Sequence, residues 1–250
     1  MLRKNFLITL FSLLSLILIA QENRISLTDD LFLEEMAGSD NIYIHRSKIQ
    51  MPPWGDVWAN GLVVIDQKTL IIDTPWNNEQ TSLLYQWIKN KTGKSPDYLV
   101  ITHFHQDCQG GMPFCLEQKT RCYSLELTRD IALEKKLPVA GHYFKDSHEF
   151  DLGEITAHAL FMGGGHTRDN IVVWIAEKKI LFGGCLVKEA KAMGLGNIED
   201  ADTESWPKTI ATMLDYFPEG TLVIPGHGQQ GGKELLEHTL MLATPQIHKE

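Results

Sequence analysis

Four times along this chain an apolar run of strand character ends on a turn that carries a metal-binding side chain. Tyr98–Ile101 runs into His103-Phe104-His105-Gln106-Asp107, with Gly110-Gly111 just beyond, and Phe161 precedes Gly163-Gly164-Gly165-His166-Thr167. Ile180–Phe182 leads into Gly183-Gly184-Cys185, and Leu222–Ile224 into Pro225-Gly226-His227-Gly228. Strand ends along one edge of a sheet sandwich would present all six donors to the same place, and glycine beside them lets the backbone crowd around a small ion. A polar side chain on an exposed strand face is the common alternative for any single histidine. It does not predict the other three turns.

The rest of the pattern agrees with such a sandwich. Asn41–His45, Gly61–Ile65 and Thr69–Asp73 read as strands, the last two joined through a polar Asp66–Lys68 turn. The period then changes: Leu83, Leu84, Trp87 and Ile88 recur at helical spacing before Gly93, and Tyr98–Thr102 follows as a buried strand. A helix over Leu125–Lys136 precedes strands at Glu154–Leu160, Ile171–Ala176 and Lys179–Phe182. A helix from Thr203 to Tyr216 with Pro207 in its first turns, a strand at Leu222–Ile224 and a helix from Lys233 to Leu242 close the chain. The order predicts an α/β protein of two similar halves, each a sheet with helices on one face. With no short repeat and no low-complexity linker, residues 21–250 read as a single domain.

Residues 1–20 read as a cleavable signal peptide. Arg3 and Lys4 precede an apolar run from Phe6 to Ile19, and small Ala20 stands before polar Gln21. That run is shorter than the ~18 apolar residues of a membrane span, and no cysteine follows it for lipid attachment. Export to the periplasm, with no membrane partner after cleavage, is the expectation. Loss of the two basic residues takes the formal charge from −9 to −11, since all 32 acidic residues lie beyond residue 20. So acidic a surface argues against nucleic acid or anionic lipid as the main partner. Four cysteines in an exported chain first suggest two disulfides, yet with 43 % hydrophobic residues the core needs no such staples. A Cys115–Cys122 bridge stays open, while Cys185 has the stronger claim as a metal ligand.

Imidazole, carboxylate and thiolate are all usual zinc ligands, and three protein ligands per ion leave a reactive position open. His103, His105 and His166 are assigned to one zinc, and Asp107, Cys185 and His227 to a second. Two ions roughly 3.5–4 Å apart can hold a hydroxide between them, polarise a carbonyl and stabilise a leaving group. The six other histidines (His45, His142, His148, His158, His238 and His248) lack a glycine-flanked strand-end setting and read as structural or solvated.

The segments His103–Asp107, Gly165–His166, Gly184–Cys185 and Gly226–His227 resemble the metal motifs of the metallo-beta-lactamase superfamily through nearly all of the mature chain. Most superfamily hydrolases, such as glyoxalase II, carry aspartate where this chain has Cys185, and a further histidine where it has Cys108. The combination here resembles the class B beta-lactamases of subclass one. The resemblance implies a four-layer αββα sandwich with its site at one edge of the two sheets; a monomer is the expectation, the sequence itself leaving the oligomeric state open. It also implies that the enzyme opens the amide bond of penicillins, cephalosporins and carbapenems.

It further implies that Lys188 pairs with the substrate carboxylate and that Asn197 flanks the lactam carbonyl, assisting catalysis with Asp107. By themselves they read as a surface lysine and a turn residue. Lys48–Gly55 resembles a hairpin flap whose Trp54 covers the antibiotic, the alternative being a tryptophan packed on the domain. Trp58 stands where family members often have proline. Asp73 resembles a buried carboxylate bracing the His103 loop, or else simply opens the turn before Pro75. Cys108 neighbours a ligand but is left out of the metal shell. A superfamily thioester or lactone hydrolase and a non-catalytic zinc-binding protein are the competing readings.

Overall fold

In a computed structural model, residues 24–245 are described; the expected signal peptide, residues 1–20, and His248 lie outside them. Eight strands form the first sheet in sequential order: β1 (Arg24–Thr28), β2 (Leu31–Glu35), β3 (Ile42–Met51), β4 (Gly55–Ile65), β5 (Thr69–Ile72), β6 (Tyr98–Val100), β7 (Arg121–Leu125) and β8 (His142–Phe144). Pairs are antiparallel up to β5 and parallel from β5 to β8. The second sheet runs β13 (Leu222–Pro225), β12 (Ile180–Gly184), β11 (Val172–Ile175), β10 (Thr156–Leu160), β9 (Ser147–Asp151), with β12 and β13 parallel. Parallel pairs need crossovers, and helices supply them: α1 (Asn78–Thr92) between β5 and β6, α2 (Gln106–Gln109) and α3 (Met112–Glu117) between β6 and β7, α4 (Glu126–Lys135) between β7 and β8, and α5 (Trp206–Tyr216) between β12 and β13.

Three cores separate four layers. Between the sheets, Ile44, Leu62, Val64 and Ile72 meet Phe150, Val173, Ile175 and Phe182. The outer face of the first sheet buries Val63, Ile71 and Leu99 under Leu84, Tyr85 and Ile88 of α1. The outer face of the second buries Leu181 and Val223 under α5 and the final helix α6 (Glu234–Ala243), through Trp206, Ile210, Met213 and Leu236. Both faces of each central strand are therefore apolar, which is why Leu70–Ile72 and Leu222–Ile224 read as continuous hydrophobic runs. The αββα sandwich expected from the resemblance is the fold observed.

Local signals set the ends of α1. Asn77 caps its start, its side chain accepting from the Gln80 N–H at 2.9 Å, and Gly93 closes it in the left-handed region at φ 77°. Two stretches differ from the sequence reading. The polar segment around His142 and His148 forms strands β8 and β9, whose histidines stack on Tyr123 at 4.7 Å. β3 and β4 extend well past the expected segments into a ten-pair hairpin ending at Met51↔Gly55. Cys115 and Cys122 both carry free, buried thiols, as do Cys108 and Cys185, so the open disulfide question resolves to no bridge.

Candidate metal centre

The donors sit where strands end. His103 and His105 follow β6; Asp107 and Cys108 lie in the short helix α2 (Gln106–Gln109); His166 lies in the β10–β11 loop; Cys185 follows β12; His227 follows β13. The structure brings all six predicted ligands together in two neighbouring groups. The donor atoms of His103, His105 and His166 lie within 4.8 Å of one another, with His105 Nδ1 3.2 Å from His166 Nε2. Cys185 Sγ stands 3.3 Å from Asp107 Oδ2 and 3.4 Å from His227 Nε2, which in turn lies 3.1 Å from that same oxygen.

Close approach of the backbone makes this second group. A Cβ on Gly226 would fall 2.4 Å from Cys185 Sγ, so only glycine lets the His227 turn reach the thiol. That turn is clamped from the other half of the molecule. Trp58 O accepts from His227 Nδ1 at 2.7 Å, which points Nε2 at Asp107 and Cys185. The Asn60 side-chain amide donates to Pro225 O and Gly228 O, and its backbone N–H donates to Gly226 O. Arg46, buried on β3, binds Asn60 Oδ1 at 2.8 Å, Gly228 O at 2.6 Å, Glu34 at 2.7 Å and Gln230 at 2.8 Å.

Around the imidazoles, further groups orient the rings. Asp200 Oδ2 lies 3.0 Å from His105 Nε2 and Asp200 Oδ1 3.3 Å from Lys135 Nζ, leaving His105 Nδ1 to face His166. Asp73, buried and held at φ 58°, accepts from the Thr102 N–H at 2.6 Å and the Thr102 hydroxyl at 2.8 Å, bracing the residue before His103. Its buried, bonded position favours the bracing reading over a simple turn opener. Asp169 accepts from the Phe104 N–H at 3.1 Å. The sequence reading missed Asp200, Asp169 and Arg46; no local motif marks them, because each acts on a residue far away in the chain.

Electrostatics suit the donors to a cation. Burial pulls His103 down to about 3 and His166 well below the ordinary histidine range, so both imidazoles are neutral and carry lone pairs at pH 7. Burial works to raise Asp107, but the His227 hydrogen bond and the surrounding imidazoles outweigh it and hold the carboxyl ionised. A hydrogen bond from Cys108, against the opposing effect of burial, holds the Cys185 thiol at about 6. His227 is raised by the Cys185 and Asp107 charges, although burial opposes this.

A metal ion fits this set on evidence internal to the structure. His103 Nε2 is buried without a hydrogen-bond partner, a cost of about 1–3 kcal/mol, and lies 3.8 Å from Asp107 Oδ1. The three imidazoles stand edge-on to one another, with ring centroids 4.7–5.1 Å apart, so that a ring nitrogen of each converges as a shared cation would require.

A model of the metallo-beta-lactamase superfamily matches residues 59–227. The chain belongs to the metallo-beta-lactamase superfamily. Among curated relatives of this superfamily, a metallo-beta-lactamase type 2 of Bacteroides fragilis is 36% identical over 239 residues, covering 95% of both chains. One of Bacillus cereus is 36% identical over 74% of this chain and 72% of its own. A solved metallo-beta-lactamase from Pontibacter korlensis superposes with a TM-score of 0.82 at 37% identity, covering 86% of this chain and all of the other.

The substrate-side residues expected from the superfamily resemblance are placed differently from the metal donors. Lys188 is half-buried beside the donors, its Nζ 5.2 Å from the Trp206 ring, and burial lowers its pKa. Asn197 is exposed, with its Oδ1 accepting from the Glu199 N–H at 3.0 Å, so its amide caps its own loop. Trp54 stands 73% exposed at the β3–β4 hairpin tip. Trp58, lower on the same hairpin, packs edge-on against Phe32 at 5.3 Å.

Proposed function

We propose that the protein hydrolyses the amide bond of beta-lactam antibiotics, penicillins, cephalosporins and carbapenems, and so confers resistance to them. Two zinc ions are the proposed cofactors, one held by His103, His105 and His166, the other by Asp107, Cys185 and His227. The observation that carries the reading is the pair of three-donor groups side by side at one edge of the sandwich, in a chain of this superfamily. Zinc there supplies a Lewis acid for a carbonyl oxygen and lowers the pKa of water from 15.7 to roughly 7.

The chain's own residues do the rest. Lys188 Nζ binds the substrate carboxylate, a charge-assisted contact that an otherwise acidic protein does not offer an anion. Asn197, turned from its loop bond, donates to the lactam carbonyl, and Trp54 covers the apolar side chain of the antibiotic. Asp107 has Oδ2 engaged by His227 and Cys185, which leaves Oδ1 to take and return a proton. Cys185 in place of aspartate, with Lys188 three residues on, supports a lactam substrate over a thioester or lactone. We place the enzyme in the periplasm as a monomeric single domain, residues 21–250, after removal of residues 1–20.

The test is hydrolysis of a chromogenic cephalosporin and a carbapenem, before and after chelation and after zinc is restored. Loss and recovery of both activities is expected. Zinc-loaded protein that cleaves a thioester and leaves both antibiotics intact contradicts the substrate class.

A further inference from the structure

Among the described residues, Cys108 is the one member of the two donor groups that the two-ion assignment does not use. Its thiol lies 3.2 Å from His103 Nδ1, and the donor atoms of His103, Asp107, Cys108 and Cys185 all fall within 4.8 Å of one another. All four residues are buried, with exposures of 0, 8, 2 and 3%. Metal–sulfur bonds of about 2.3 Å and metal–nitrogen bonds of about 2.0–2.1 Å place tetrahedral ligands about 3.3–3.8 Å apart. Cys185 Sγ to Asp107 Oδ2 at 3.3 Å and Cys108 Sγ to His103 Nδ1 at 3.2 Å already come close to that spacing.

Four protein donors around one ion make a closed shell with no position for water, the arrangement of structural rather than catalytic sites. Two thiolates in such a shell favour soft, thiophilic ions over the imidazole-rich alternative. His103 would serve in either arrangement, so an ion in the closed shell takes a ligand from the three-imidazole group. The two states compete.

We infer that this pocket holds a second, inactive metal mode, in which His103, Asp107, Cys108 and Cys185 close around a single thiophilic divalent cation such as cadmium. The inference rests on the pocket being a metal site, as proposed above. It goes beyond that reading by giving Cys108 a ligand role and by predicting that the first equivalent of a soft ion is captured without activity. Its structural alternative is that Cys108 is a small core residue packed beneath the donors, as buried free cysteines commonly are.

Reduced, metal-free protein titrated with cadmium to one equivalent reads this directly. Thiolate-to-cadmium absorption in the ultraviolet scales with the number of bound sulfurs. Wild type is therefore expected to give about twice the band of Cys108→Ser or of Cys185→Ser, each still binding one equivalent. X-ray absorption at the cadmium edge of the unmutated protein supplies a count that needs no variant to fold, and two sulfurs per cadmium are expected. Uptake of one equivalent with a single sulfur, and an unchanged band in Cys108→Ser, overturns this inference alone. Absence of cadmium uptake by wild type overturns it together with the metal-site reading.

Discussion

Arg46 ties the two halves of the molecule together at the metal-bearing edge, and its removal has a cost that the structure lets one work out. Its guanidinium donates to four acceptors, of which Glu34, with a side chain 32% exposed, and Gln230, on the surface, are open to water once the cation is gone. Gly228 O keeps its bond from Asn60 at 2.9 Å. Asn60 Oδ1 has no substitute, and a buried acceptor left bare costs about 1–3 kcal/mol. Adding the net loss of one inward charge-assisted bond, about 1.5 kcal/mol, brings Arg46→Met to roughly 3 kcal/mol. That is a large part of a typical stability of about 5–15 kcal/mol.

Urea unfolding followed by tryptophan fluorescence is the assay. Arg46→Met is expected to lower stability by about 3 kcal/mol and Arg46→Lys by roughly half as much, because an ammonium cannot span the same fork of acceptors. Glu34→Gln, which breaks only the partly exposed pair, should cost under about 1 kcal/mol. An Arg46→Met midpoint within about 0.5 kcal/mol of wild type, or a Glu34→Gln loss equal to it, would refute the assignment of the energy to the inward bonds.

Other consequences follow from the groups around the site. His45 is buried against Asp73 O at 3.0 Å, and burial lowers its pKa to about 4 from an unfolded value of 6.5. The unfolded chain therefore takes a proton as the pH falls through 6.5 while the native state resists until about 4. Stability is whole above 6.5 and declines by about 3 kcal/mol across that window. The wild-type minus His45→Gln difference in unfolding free energy should carry that slope, and parallel pH curves would contradict it. Asp200→Ala should weaken zinc affinity about 10–100-fold by releasing the His105 ring, with Asp200→Asn recovering part of it. Competition against a chromophoric chelator measures both, and equal affinities in all three proteins would remove Asp200 from the account.

How much of this was legible in the sequence depends on whether a residue acts locally. His103, His105, Asp107, His166, Cys185 and His227 could be picked out because each stands on a turn that ends an apolar run, and strand ends in a sandwich converge. Helix α1 was equally plain, since its apolar spacing and Gly93 lie within one stretch. Strands β8 and β9 were not, because edge strands of this sheet pair are half solvated and carry polar side chains such as His142 and Glu149. Asp200, Asp169 and Arg46 were illegible for a different reason: their partners stand 95, 65 and up to 184 positions away, and only the folded chain brings them together. Cys108 was set aside beside a ligand, and its thiol turns out to face the donors rather than to pack away from them.

The central claim is that two separate triads of side chains each retain an ion. Elemental analysis of zinc-saturated, gel-filtered protein tests it most directly. The account predicts two zinc atoms per chain in wild type and one in Cys185→Ser. A wild-type chain that keeps one zinc, or a Cys185→Ser chain that keeps two, would contradict it.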